Sequence, residues 1–336
     1  MKKIVLLLIT LGFFTYSCEK LLFEEQPANN PVENFDELWS TLDKKYSFFT
    51  YKNIDWDSVR QAYRPRVSPG ISRIELFDVF SEMLNELKDG HVNLISTFDV
   101  SRYWGYYLDY PENFDYSLIE RNYLKEEYEI TGPFYNNWID TTGYIYYGSF
   151  GSNFSESQVN YLLNKYRHAN GLIIDVRNNG GGYTRLIKEL ASHFTAKKYL
   201  YAKDYHQNGP AHDAFAPPKE KFIEPSDGVK WLKPVIVLTN RQCYSATNSF
   251  VLAMKQLDQV IIVGDRTGGG GGIPISAELP NGWTYRFSAS KKLSPANFNI
   301  EHGITPDKQV DITETDMLEG KDTIIEYALN LLKQNN

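Results

Sequence analysis

From Gly143 onward the chain alternates short apolar runs with stretches of helical spacing. The runs are GYIYYGSF, GLIIDV, KPVIVLT and QVIIVGD, rich in β-branched and aromatic residues, and each stops in turn chemistry. Continuous apolar character over so few residues predicts strands buried on both faces of a sheet. Helical periods fall between them near 155–168, 184–195 and 245–257. That alternation predicts an α/β layered core with a mostly parallel sheet. A last amphipathic helix is expected over 315–333, packing back on the core through Leu318, Ile324, Ile325, Ala328, Leu329 and Leu332.

Ahead of the core, Phe35, Leu38, Trp39, Leu42 and Tyr46 share one helical face over 35–49, and Leu76, Phe77, Phe80, Met83, Leu84 and Leu87 share another over 71–88. These predict a small N-terminal helical domain, residues 34–94. Residues 95–142 are rich in Tyr, Asn, Asp and Pro without a long-range period, and read as connecting strands and loops. The segment Gly271 to Ser288 alternates through Ile273, Ile275, Ala277 and Leu279 before a turn at Pro280–Gly282, which predicts a hairpin. It is either an edge for an extended peptide or an ordinary extension of a sheet.

The start of the chain carries an address. Lys2 and Lys3 precede an apolar run from Ile4 to Phe14, too short to span a bilayer comfortably, and Thr15 and Ser17 lead to Cys18. Residues 1–18 resemble a bacterial lipoprotein signal. The resemblance implies that Cys18 is lipidated, with the membrane as partner through that anchor. It places the protein in the cell envelope of a Gram-negative-type bacterium, facing the periplasm or exposed on the surface. An ordinary secretory signal is the other reading, and export is common to both. Residues 19–33, polar and turn-rich, read as a flexible tether. Cys243 then stands without an intramolecular partner, so stability must come from the core.

With 336 residues the chain can bury a sizeable core, and its net charge of -7 without any basic run argues against nucleic acid as a partner. The glycine runs fit no nucleotide motif: GGGGG at 268–272 lacks the Lys-Ser/Thr of a P-loop, and RNNGGGY at 177–183 lacks the dinucleotide-binding spacing. Their use lies elsewhere. Gly180, Gly181 and Gly182 can bring backbone N–H groups close to a ligand, and Ser245 in RQCYSATNSF opens a helix after a strand. A nucleophile facing an oxyanion hole is one reading. A serine in that position is also a common helix cap. Taken alone, His91 and Asp89 could equally be a satisfied histidine and a turn residue, Asp175 and Arg177 read as structural strand ends, and Cys243 reads as a small buried hydrophobe.

Six segments carry a resemblance over nearly all of the mature chain: WSTLDKKYSFFTYKNIDW, LKDGHVNL, GLIIDVRNNGGG, VLTNRQCYSATNSF, GDRTGGGG and EHGITPD. Together they resemble the serine peptidases that include the C-terminal processing (tail-specific) proteases, the tricorn protease core and the interphotoreceptor retinoid-binding protein repeats. The resemblance implies a crotonase-like (ClpP/crotonase) core, here residues 143–336, and a peptide or unfolded protein as substrate, with no metal and no organic cofactor. The Ser/Lys branch places a lysine after the GxxT turn. Here GGGGG follows, and no lysine lies between Lys255 and Lys291. The tricorn-like branch takes a histidine, and His91 matches it as general base to Ser245. The family's glutamate matches Glu301, as the carboxylate that orients the histidine. The backbone N–H groups of Ala246 and Gly181 are the expected oxyanion hole, with Gly180, Gly182, Thr267 and Gly268 lining the substrate. Gly90 stands where the tricorn branch has a serine, and 95–142 is too short for an intact PDZ module. The rival expectation is a non-catalytic lipoprotein binding a hydrophobic ligand or peptide on the same fold.

Overall fold

The computed structural model describes residues 28–334. The signal segment and Cys18 lie outside the described residues. Among those described, no helix is long and apolar enough to cross a membrane.

The central element is a seven-stranded sheet in the order Lys308–Gln309, Val260–Gly264, Val235–Thr239, Gly171–Asp175, Thr142–Tyr147, Phe134–Ile139, Glu129–Thr131. The first five pair in parallel, and the last two are added by antiparallel pairing. Side chains alternate between two cores, as the pleat requires. Leu172, Ile174, Val235, Val237 and Ile262 meet the helices Glu156–Lys165, Arg185–Ala191 and Ala246–Met254, while Ile173, Ile236, Leu238 and Val263 meet the helix Thr323–Gln334. A mixed α/β fold with a mostly parallel sheet is therefore present. The sheet begins earlier than the expected boundary at 143. Strands Glu129–Thr131 and Phe134–Ile139 hydrogen-bond onto it, and their short, tyrosine-rich sequences show little pattern because only part of each faces a core.

Helices Pro31–Lys45, Phe49–Lys52, Trp56–Tyr63 and Arg73–Asn85 open the chain. Asn30 caps the first through Val32 and Glu33, and Ser72 with Glu75 forms a capping box on the last. Their apolar faces close on Leu279, Trp283, Tyr285 and Phe287 from the hairpin Pro274–Glu278 and Thr284–Ser288. The helical unit is thus completed by residues far along the chain. The hairpin joins Asn93–Ile95 and Val100–Arg102 in a four-stranded sheet, with Pro274–Glu278 at its edge. A third sheet, Ser290–Leu293, Tyr199–His206 and Lys219–Ile223, stands beside it. The sequence pattern does not separate these last three strands from loops, since charged residues, Asp204 and Lys292 among them, occupy buried positions where apolar ones would mark the alternation.

Candidate active site

Strand Val235–Thr239 ends in a turn over 240–244, and Ser245 precedes helix Ala246–Met254 with φ 57° and ψ -113°. A serine pays for that backbone conformation, which is otherwise the province of glycine. Its side chain makes no capping hydrogen bond to the helix it precedes. Instead Oγ lies 2.9 Å from Nε2 of His91. The cap reading is thereby excluded, and two residues 154 positions apart are brought together.

His91 is delivered by the turn after helix Arg73–Asn85. Its backbone N–H donates to Asp89 Oδ1 at 2.7 Å, Arg102 holds the Gly90 carbonyl at 2.6 Å, and its ring meets Tyr244 edge to face at 5.0 Å. Burial lowers its pKa to about 4; Asp89 opposes that shift, and the cations Arg286, Arg102 and Lys52 add to it. The imidazole is therefore neutral at pH 7, with Nε2 directed at the hydroxyl. Asp89 is itself buried, accepting from Tyr46, Tyr244 and Ser288 hydroxyls at 3.1, 3.3 and 3.1 Å. Although burial acts to raise it, the Lys52 ammonium, His91 with its backbone N–H and the Ser288 hydroxyl hold its pKa below the usual carboxylate value. Asp89 is thus no mere turn residue.

Gly90 has a packing reason. A Cβ there would lie 2.7 Å from the Tyr106 ring and 3.0 Å from the Tyr244 ring, and these two rings stack with centroids 4.3 Å apart. A serine at this position has no room unless the pair moves.

Glu301 differs from its expected placement. Its carboxylate accepts from Gly271 N–H at 2.8 Å and pairs with the Lys52 ammonium at 2.8 Å, and makes no hydrogen bond to His91. The His91 Nδ1 has no hydrogen-bond partner among the described residues. Direct orientation of the ring by Glu301 is therefore corrected: the glutamate braces the glycine loop, and the turn around Asp89 sets the histidine. Burial raises Glu301 to about 7 against the lowering effect of Lys52, with Asp89 adding to the rise. Lys52 also donates to the carbonyls of Leu87 and Lys88 at 3.1 and 3.2 Å, tying the His91 turn to Glu301. Lys52→Met leaves a buried carboxylate and two carbonyls without their cation. It is expected to cost about 3–5 kcal/mol in urea unfolding at pH 8. The deficit shrinks as pH falls through the Glu301 pKa, because the protonated acid no longer needs a counter-charge. A loss that is small at pH 8, or that grows on acidification, would contradict this role.

Both glycine loops close on the serine. Gly181, with φ +98°, approaches so closely that a Cβ on it would lie 2.8 Å from Ala246 N. Its own N–H is committed, however, donating to Asn179 Oδ1 at 3.0 Å. Gly181 therefore supplies proximity, and its N–H is not free to serve as the second oxyanion donor in this arrangement. The Asn179 side chain organises the region, accepting also from Phe150 N and Thr247 Oγ1 and donating to the Tyr147 carbonyl. On the other side, Gly269 O accepts from Ser245 N at 2.9 Å. Gly182 lines the cleft above Ser245 together with Gly270, Gly271 and Gly272. Thr267 and Gly268 line a different pocket, beside Tyr106 and His302. The Thr267 hydroxyl is spent on Asn248 Oδ1 at 2.6 Å and Ile304 N at 2.7 Å, a structural use in place of substrate contact. Gly180 is exposed and is not among the residues lining the Ser245 cleft. Cys243 is buried and donates to the Val176 carbonyl at 3.0 Å, and burial pushes its thiol pKa far up, so it is inert as expected. Lys52, Tyr244 and Asn179 escaped sequence reasoning. Tyr244 could have been noticed beside Ser245, but nothing local links Lys52 to a glutamate 249 positions later (301 − 52).

Residues 141–310 match peptidase family S41, and residues 27–85 match the tricorn protease C1 domain. A crystal structure of a candidate peptidase from Parabacteroides merdae is 46% identical, with a TM-score of 0.88, covering 91% of this chain and 97% of that one. The carboxy-terminal processing protease CtpB of Bacillus subtilis is 27% identical over 49% of this chain and 33% of its own length. Tricorn protease of Thermoplasma acidophilum is 26% identical over 59% of this chain and 18% of its own length. The matched region thus spans a third or less of these two curated relatives. With the serine hydroxyl against its histidine, both glycine loops beside it, and half of its length matching the family, the chain belongs to peptidase family S41, that of the C-terminal processing proteases.

Proposed function

We propose that this protein is a serine endopeptidase that hydrolyses exported proteins or peptides through a Ser245 acyl-enzyme, with His91 as general base, on a crotonase-like core. The 2.9 Å contact between Ser245 Oγ and a buried, neutral imidazole carries the reading. His91 Nε2 takes the hydroxyl proton as Oγ attacks the peptide carbonyl, and returns it to the leaving amine when the C–N bond breaks. Water, deprotonated by the same nitrogen, then hydrolyses the ester and frees Ser245. The Ala246 N–H, at the start of its helix, stabilises the developing oxyanion in this reading. The outer strand Pro274–Glu278 offers an unpaired edge on which an extended substrate can lie by strand addition. A binding protein without catalysis has no need of a histidine against the serine hydroxyl.

The test is mass spectrometry after treatment with a fluorophosphonate. Labelling is expected on Ser245 and lost in His91→Ala; an unlabelled wild-type protein across a range of pH would sink the reading. A pH profile tests the base. Only the neutral imidazole accepts a proton, so kcat/KM should fall on the acid side near pH 4, well below the ordinary histidine value. An acid limb at 6.5 or above would refute the neutral, buried base. An added inflection near 7 that disappears in Glu301→Gln would tie the Glu301 loop brace to turnover.

Membrane attachment through Cys18 belongs to the same proposal. It predicts incorporation of labelled palmitate in cells into the wild-type chain and none into Cys18→Ala.

A further inference from the structure

Ser245 and Ala246 form part of a cleft of 490 Å³ whose walls come from different sheets. One wall carries Arg286 on the strand Thr284–Ser288, and the other carries Asp204, Lys221 and Lys292 from the three-stranded sheet. Arg185 and Lys188 reach in from the helix between them. Five cations therefore line a cleft that holds one carboxylate, Asp204, in a chain whose net charge is -7. Composition does not produce such a cluster by default.

The single carboxylate is already shared. Asp204 pairs with Lys292 and lies 3.5 Å from Lys221, and Arg185 is paired with Glu189 at 2.9 Å. Arg286 and Lys188 have no carboxylate within ion-pair distance among the described residues. Arg286 is also placed against its own kind: it faces Asn93 across one strand pair, Asn93 faces Arg102 across the next, and Asn93 is two residues from His91. Arg286 is exposed to the cleft, and partial burial followed by the Arg102 charge lowers its pKa. Both side chains, Arg286 and Lys188, are exposed and lack a counter-charge among the described residues, so their combined positive field is open to an incoming anion.

We propose that this cleft is an anionic-substrate subsite, in which Arg286, supported by Lys188 and the half-neutralised Lys221 and Lys292, binds a peptide carboxylate close to the scissile bond. The inference rests on the peptidase reading and names its substrate class. A planar guanidinium takes a carboxylate in two parallel hydrogen bonds, which fixes orientation as well as affinity. The volume suits one large side chain or a chain terminus. An Asp or Glu side chain and a free C-terminus offer the same group.

Four dansylated peptides decide between these sources: one short sequence with Glu or Gln at a single position, each with a free or an amidated C-terminus. Binding is followed by fluorescence anisotropy on full-length Ser245→Ala, which separates recognition from turnover, and hydrolysis is followed on the active protein. The carboxylate forms should bind about tenfold or more tightly than their amides, a difference typical of one charge-assisted pair. Loss on Glu to Gln assigns the side chain, and loss on amidation assigns the terminus. Arg286→Gln should bring the selectivity ratio close to one, and Arg286→Lys should restore part of it. Equal binding of all four peptides overturns the proposal. So does an Arg286→Gln variant that keeps the ratio while moving the acid limb of the pH profile, since the arginine would then act only on His91. Failure of fluorophosphonate labelling with selective binding intact would count against the peptidase reading alone.

Discussion

Ser245→Ala is expected to lower peptide hydrolysis by about 10⁴-fold or more while leaving the fold intact. The substitution removes one oxygen that makes a single polar contact, with His91 Nε2, and caps nothing. Loss of activity cannot then be assigned to unfolding, and matched urea midpoints for the two proteins would check this. His91→Ala should be nearly as severe. The double variant should be no worse than either single one, because nucleophile and base act as a unit. Additive losses would mean that the two residues work in separate steps. A third substitution reads the backbone. With φ at 57° and ψ at -113°, Ser245 sits where a side chain is strained, so Ser245→Gly should be more stable than Ser245→Ala by about 1–3 kcal/mol. Equal stabilities would show that the turn stores no strain at the nucleophile.

How much of this was legible beforehand depends on the range of the interaction concerned. The strands around Ile173, Val237 and Ile262 are buried on both faces, so continuous apolar runs betray them. Ser245 is legible for a similar reason: a strand, a turn and a helix in succession are local signals. His91 was reached through resemblance, since its chemistry depends on a partner 154 positions away. That contact is present at 2.9 Å, whereas two others implied by the resemblance differ in geometry. Glu301 is close to the site, but its carboxylate belongs to Lys52 and Gly271, and Gly181 lends its space while Asn179 takes its N–H. The helical domain shows the same limit. Its own residues form good amphipathic helices, yet the face they bury is completed by Trp283 and Phe287, which no pattern within 34–94 can announce.

Arg177→Met should cost about 3–5 kcal/mol or more in stability. Arg177 has no exposed side-chain surface. Its guanidinium donates to both oxygens of Asp175, at 2.6 to 3.1 Å, to both oxygens of Asp322, at 2.9 and 3.1 Å, and to the Asn113 carbonyl at 3.2 Å. Methionine conserves much of the volume but leaves two buried carboxylates facing each other without a cation. Asp322 accepts from the N–H groups of Ile324 and Ile325 at the start of the last helix, so the loss spreads to the element that covers one face of the sheet. It reaches the site as well, because Arg177 directly precedes the Asn178–Gly182 loop. Adding Asp322→Asn to Arg177→Met should recover part of the stability by removing one stranded charge, whereas Asp322→Asn alone should be destabilising. Urea unfolding of the three variants forms the test. A cost below about 1 kcal/mol for Arg177→Met would mean that the ion triad merely breaks even with an apolar replacement, and the strand-to-helix clamp would have to be sought in packing around Phe114 and Tyr144 instead.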